Sequence, residues 1–167
     1  MFFDIRSTAD LQKMMKYVKE IAKESLVDTS KEVVDIVKEE IDKAVYSIPE
    51  GEYARTYDLR ESMESFPLKD NGDTFEINIM HNTTKIRSIP SDFIHGSLYW
   101  SPRDFSPFVA RVVHDGLSGG LFGIDDNLHW RQPKPYMDNA VNRLNKNKEH
   151  VKSMKRNLNK RGIMTDW

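Results

Sequence analysis

From Leu11 to Ile48 apolar side chains return every three or four residues: Leu11, Met14, Met15, Val18, Ile21 and Ala22, then Val33, Val34, Val37, Ile41, Ala44, Val45 and Ile48. Only a helix of 3.6 residues per turn brings such a set onto one face. The first part of the chain is therefore a long amphipathic helical region whose apolar face needs a cover. Ser7 or Thr8 caps it, with Asp10 in the first turn where the helix dipole favours a negative charge. Val27-Asp28-Thr29-Ser30 interrupts the stripe with β-branched and capping residues. This favours two segments, the second capped by Asp28 or Thr29, over one helix bent near Asp28. Methionine and valine at this spacing are core residues before they are ligands. Ahead of the helix, Phe2, Phe3 and Ile5 form a short strand or an apolar hook. Beyond it, Pro49 and Gly51 force a turn.

A short helix is expected from Thr56, with Asp58 in its first turn and Leu59 and Met63 four apart on one face. Pro67 and Asp70-Asn71-Gly72-Asp73 mark a turn. Phe75, Ile77 and Ile79 then alternate with Glu76, Asn78 and Met80, the period-two pattern of a half-buried strand. Lys85–Ile89 and Gly96–Trp100 are weaker strand candidates. Ser106-Pro107 opens a helix over Phe108, Val109, Val112 and Val113 that stops at Gly116. Four of the eight glycines follow in Gly116–Gly123, read as a loop that orders against a neighbouring subunit. Prolines 133 and 135 lead into a final helix carrying Met137, Ala140, Val141, Leu144, Val151, Met154 and Leu158 at mostly heptad spacing, with Lys148 filling a gap and Gly162 as the stop. The expected fold is α+β, a single domain over 1–167: a long N-terminal helical region and a C-terminal helix packed on a small antiparallel β-sheet. Its parts are the helical region 1–48, a turn and short helix 49–66, a β-rich part 73–105, a short helix 106–116, a Gly-rich loop 117–132 and the C-terminal helix 133–162.

The chain holds no cysteine, which removes disulfides and cysteine-based zinc sites or nucleophiles. No apolar run approaches the roughly 18–20 residues that cross a bilayer, and Met1–Arg6 lacks the pattern of a signal peptide. An intracellular, unexported protein without membrane contact is expected. The five histidines stand at no metal-binding spacing, and no serine sits in a nucleophile elbow. The Gly-rich segment lacks the lysine and hydroxyl residue of a phosphate loop. No enzyme, cofactor or metal is expected. Charge is unevenly placed: residues 1–66 carry 10 Lys/Arg against 15 Asp/Glu, and residues 131–161 carry 10 against 2. Ends of opposite sign suit head-to-tail packing of identical subunits, or simply two solvated faces. Lys146, Lys148, Lys152, Lys155, Arg156, Lys160 and Arg161 form a dense basic run, with Lys152, Lys155 and Arg156 as candidate DNA contacts. Solubility and pairing with the acidic first helix account for the run equally well.

Tyr46, Pro49, Tyr53, Arg55, Thr56 and Leu59 form an aromatic-Pro-x-x-Tyr-x-Arg-Thr-x-x-Leu run after a charged amphipathic helix. This is similar to the tail-component family of tailed bacteriophages, the small minor tail or tail completion proteins of the head–tail joining region. A second match runs from His114-Asp115-Gly116 to Trp130-Arg131-Gln132-Pro133 and Pro135-Tyr136-Met137. It resembles the family's closing Arg-Pro-aromatic-Met segment, with Gln132 here separating Arg131 from Pro133. The resemblance spans roughly residues 8 to 158. It implies a structural virion protein, a tail completion or neck component assembling as a ring, six-fold by analogy with other tail-end rings. The implied partners are copies of itself, neighbouring neck and tail-tube proteins, and passing DNA; the implied location is the virion, and the host cytoplasm during assembly. Tyr53, Arg55, Thr56, Trp130 and Arg131 are the candidate subunit-interface residues. The rival expectation is a cytoplasmic nucleic-acid-binding module using the basic C-terminal helix.

Overall fold

The structure, a computed structural model, describes residues 6–47, 57–87, 106–115 and 133–165. The described fold is α+β. A helix α1 (Thr8–Ile41) runs into a π-helical turn (Asp42–Tyr46). One turn of helix α2 (Asp58–Glu61) follows, then four short strands: β1 (Met63–Ser65), β2 (Lys69–Asp70), β3 (Phe75–Glu76) and β4 (Ile79–His81). A 3-10 turn (Thr83–Lys85) and three helices, α3 (Ser106–Asp115), α4 (Tyr136–Asn147) and α5 (Glu149–Lys160), complete the described elements. The strands pair two by two, β1 with β4 and β2 with β3. The chain gathers into two compact units: residues 1–35, 65–79 and 143–167 form the first, and residues 36–64 and 80–142 the second.

The start of α1 follows its sequence. The Ser7 hydroxyl accepts the Asp10 N–H at 3.2 Å and donates to the Asp10 carboxylate at 2.7 Å, a reciprocal cap. The expected break at 27–30 is absent, and α1 is one helix of 34 residues. The residues thought to cap a second segment are used sideways instead. Thr29 donates its hydroxyl to the Ser25 carbonyl, and Ser30 to that of Val27, each at 2.7 Å. Such back-bonding lets a hydroxyl residue sit inside a helix. The Asp28 carboxylate is drawn outward to Lys31 and Arg161.

In the first unit α5 lies antiparallel to α1: Arg156 pairs with Glu32, while Arg161 pairs with Glu24 and Asp28. The seam between them is polar and buried. Asn157 donates its amide to Thr29 Oγ1 at 3.2 Å, Ser153 Oγ at 3.3 Å and Glu32 Oε1 at 3.4 Å. Small hydroxyl residues at Ser25, Thr29 and Ser153 permit this close approach. The β2–β3 hairpin pairs Lys69 with Glu76 and Asp70 with Phe75. Its tip is the turn read from Asp70-Asn71-Gly72-Asp73: Gly72 takes a φ of 87° and donates its N–H to the Asp70 carboxylate at 2.9 Å. Lys19 donates to the Gly72 carbonyl, and Lys23 pairs with Asp70, both at 2.9 Å.

The second unit holds most of the buried apolar side chains, among them Val37, Ile41, Leu59, Met63, Ile86, Val113, Tyr136 and Ala140. Met63 belongs to β1 and not to the helix of Leu59, although both side chains point inward as their spacing suggested. The short helix begins at Asp58, preceded by Tyr57 in the left-handed conformation, and Thr56 lies outside the described residues. Lys85, the expected start of a return strand, ends a 3-10 turn whose Asn82 side chain accepts the Thr84 N–H at 3.2 Å, and residues 88 and 89 of that candidate lie outside the described residues. Helix α3 occupies the predicted span. Its last carbonyls, of Val113 and His114, accept the Lys134 N–H from the Pro-Lys-Pro lead at 3.0 and 3.1 Å.

The expected single C-terminal helix is broken at Lys148, which has φ 54°. Its N–H closes α4 on the Leu144 carbonyl at 2.9 Å, and Glu149 accepts from Arg143 and Asn147 across the corner. No glycine or proline marks this site, so periodicity alone ran through it. The end of α5 was legible: Gly162, with φ 84°, donates to the Asn159 carbonyl and Ile163 to that of Leu158, the paired closure of a Schellman motif. A side chain at positive φ costs about 1 kcal/mol. Lys148→Gly is therefore expected to raise stability by about 0.5–1 kcal/mol, read as a shift of the urea midpoint at unchanged slope, and Lys148→Val to lower it.

Candidate functional site

The last turns of α1 build one candidate. The π-helical turn widens the backbone and aims Asp42 and Tyr46 into a pocket of 420 Å³ lined also by Ser47, Tyr57, Arg60 and Glu61. Single π turns often accompany functional sites, because the extra residue re-aims side chains. The Tyr46 and Tyr57 rings stand 4.6 Å apart and tilted, an aromatic wall. Arg60 donates to Asp42 at 2.9 Å and also pairs with Glu61, which Lys38 approaches at 3.5 Å. The Arg60 guanidinium holds the Glu61 carboxyl below its ordinary range. Charge in the pocket is thus already compensated, and the arrangement offers shape and aromatic surface more than a reactive group.

A second constellation is buried in the same unit. The Ser62 hydroxyl donates to the Leu59 carbonyl at 2.8 Å and lies 2.8 Å from His81 Nδ1; His81 Nε2 lies 2.8 Å from the Tyr136 hydroxyl. Ser62 spends its proton on Leu59, so Nδ1–H donates to it, and the bare Nε2 of the neutral ring shares the single Tyr136 hydroxyl proton with the Ala110 carbonyl. This tautomer follows from the hydrogen-bond directions. Burial keeps the imidazole neutral and pushes its pKa down to about 4, opposed by the Leu59 carbonyl. Burial likewise pushes the Tyr136 phenol well above its usual range. The His81 and His114 rings meet the Tyr136 ring edge-on, at 5.7 and 5.3 Å. A serine beside a histidine invites comparison with a hydrolytic dyad. Ser62, however, is 0% exposed and its proton is committed, so the cluster braces the end of α2, β4, α3 and α4. Sequence reasoning passed over it because 55 residues separate His81 from Tyr136. The one local signal was a histidine closing an apolar alternation.

The sequence-predicted site residues fare differently. Tyr53, Arg55, Thr56, Trp130 and Arg131 lie outside the described residues. Lys152, Lys155 and Arg156 all lie on α5, but they do not form one group. Arg156 turns to Glu32, and its hydrogen bond lowers that carboxyl's pKa. Arg161 does the same for Asp28. Lys152 faces solvent. Among the described residues no cluster of three or more His, Asp or Glu could hold a metal ion, and no helix is long and apolar enough to cross a membrane.

One surface feature remains. Arg161 of α5 and the β2–β3 hairpin engage α1 at Lys19, Lys23, Glu24 and Asp28. Toward its start the stripe stays partly exposed, with Leu11 41%, Met15 52% and Val18 41% exposed. Three large apolar side chains at i, i+4 and i+7 form a ridge, and contiguous apolar surface of this kind marks an interaction site.

No curated protein and no solved structure matches the chain. A family model, described as YomN, matches residues 8–160.

Proposed function

The chain belongs to the YomN family, named for a gene of a Bacillus phage region, and from that premise we propose that this phage-associated protein is a structural virion component. In this reading it completes the tail or neck, joins head to tail as a ring of identical copies, and is found in the virion and, during assembly, in the host cytoplasm. It works by forming interfaces with itself and with neighbouring neck and tail-tube proteins, without turnover of a substrate. The observation that carries the reading is the ridge of Leu11, Met15 and Val18. These exposed side chains continue the packed stripe of α1, and methionine and leucine surfaces adapt readily to a partner. The acidic first third and basic last fifth of the chain add complementary fields for association.

The test is the mass of the purified chain by light scattering, alone and mixed with a tail-tube protein. A closed oligomer or a complex is expected. Leu11→Lys with Met15→Lys should lower that mass toward the monomer at unchanged helical circular dichroism, because both positions are exposed. A strict monomer that joins no phage particle would overturn the reading.

A further inference from the structure

Two backbone distortions of the second unit meet at one cavity. Helix α1 passes into the π-helical turn Asp42–Tyr46. Tyr57 holds φ 58° and ψ 8°, a left-handed backbone that a residue with a side chain adopts only where its surroundings impose it. Both line the 420 Å³ pocket. Their rings stand 4.6 Å apart, and Tyr57 keeps 43% exposure. A π turn and a strained residue at the same cavity point to a ligand site, because each costs stability that regular structure would keep.

The rim defines the ligand's chemistry. Asp42 and Glu61 face the Arg60 guanidinium, and Lys38 lies 3.5 Å from Glu61, so the formal charges cancel and a charged ligand finds no net counterpart. The polar groups are mostly acceptors. Arg60 bonds Asp42 through Oδ2, which leaves Oδ1 to a ligand. The Ser47 hydroxyl spends its proton on the Lys43 carbonyl, so its oxygen accepts as well. An uncharged molecule with many O–H donors and an apolar face is a sugar ring: its hydroxyls donate to carboxylates while its C–H face lies on an aromatic ring. A proline-rich peptide, another guest of aromatic-lined grooves, brings carbonyl acceptors and few donors, the wrong complement for this rim. The volume suits a mono- or disaccharide. We propose that the Tyr46–Tyr57 pocket binds a neutral pyranose sugar, with the Tyr57 ring as its platform and Asp42 and Glu61 accepting from its hydroxyls. The site binds without chemistry and is independent of ring assembly.

Saturation-transfer NMR of the full chain with glucose, cellobiose and N,N′-diacetylchitobiose tests it, with arginine methyl ester as the cationic control. Saturable binding of at least one sugar is expected at millimolar concentration, and none of the ester. Tighter binding of a disaccharide than of glucose supports a glycan chain as the source, and equal binding a free sugar. Tyr57→Gly removes the platform and relieves the left-handed backbone, so circular dichroism should be unchanged while sugar affinity falls about tenfold. The Leu11→Lys, Met15→Lys protein should bind sugar as the wild type does, which separates this site from self-association. Failure of all three sugars to bind the wild type would overturn the proposal, as would unchanged affinity in Tyr57→Gly. Saturable binding of the ester in place of the sugars would assign the pocket to a cationic side chain of a partner and equally overturn it.

Discussion

Tyr136→Ala is expected to cost about 3–5 kcal/mol, the usual loss for truncating a large buried aromatic, and so to unfold most of the protein near its working temperature. Tyr136 is 1% exposed and lies between two imidazole edges, with its hydroxyl 2.8 Å from His81 Nε2 and 3.2 Å from the Ala110 carbonyl. Tyr136→Phe separates packing from hydrogen bonding. It keeps the ring and removes the hydroxyl proton shared by His81 Nε2 and the Ala110 carbonyl, leaving half-buried acceptors unpaired at a cost of about 1–3 kcal/mol. Urea denaturation of both variants at neutral pH measures the two effects. A Tyr136→Phe protein as stable as the parent, within about 0.5 kcal/mol, would mean that the hydrogen-bond chain contributes nothing.

The second large effect is in pH. His81 has a folded pKa of about 4 against its ordinary 6.5, because burial disfavours the charged ring. As pH falls the unfolded chain takes up this proton first, so the contribution of His81 is complete above 6.5 and is lost progressively down to about 4. The ring is partly exposed, and with allowance for solvent screening the loss is about 2 kcal/mol. Stability measured in urea between about pH 7 and pH 4.5 should fall accordingly. His81→Gln, which keeps a polar side chain but cannot titrate, should show a flatter dependence over the same interval. Asp28, Glu32 and Asp70 act at lower pH, since arginine or lysine hydrogen bonds hold their carboxyls below the ordinary range. Equal slopes for the parent and His81→Gln would remove His81 from the account.

How much of this could be read beforehand depended on whether the determinant was local. The Ser7 cap, the Asp70–Asp73 turn, the Ser106 helix start and the Gly162 stop are each specified by a few adjacent residues, and each formed where its chemistry placed it. The continuity of α1 through Asp28, Thr29 and Ser30 depended on Arg161, Asn157 and Ser153, more than a hundred residues away in the chain, and local propensity pointed the wrong way. The break at Lys148 lacked any glycine or proline signal. The Ser62–His81–Tyr136 cluster needed three elements to meet before its residues had anything to say to each other. The basic run was visible as composition, but the pairing of Arg156 and Arg161 with carboxylates of α1 required helical phase and a partner.

The polar seam of the first unit has a mechanical consequence. Two apolar helices can slide along each other by one turn, about 5.4 Å, and find nearly equivalent packing. Here such a slip would carry the Asn157 amide away from Thr29 and strand it in a dry interface, while Arg161 lost both carboxylates. The seam works as a ratchet pawl with one notch: it fixes the register of the C-terminal helix along α1.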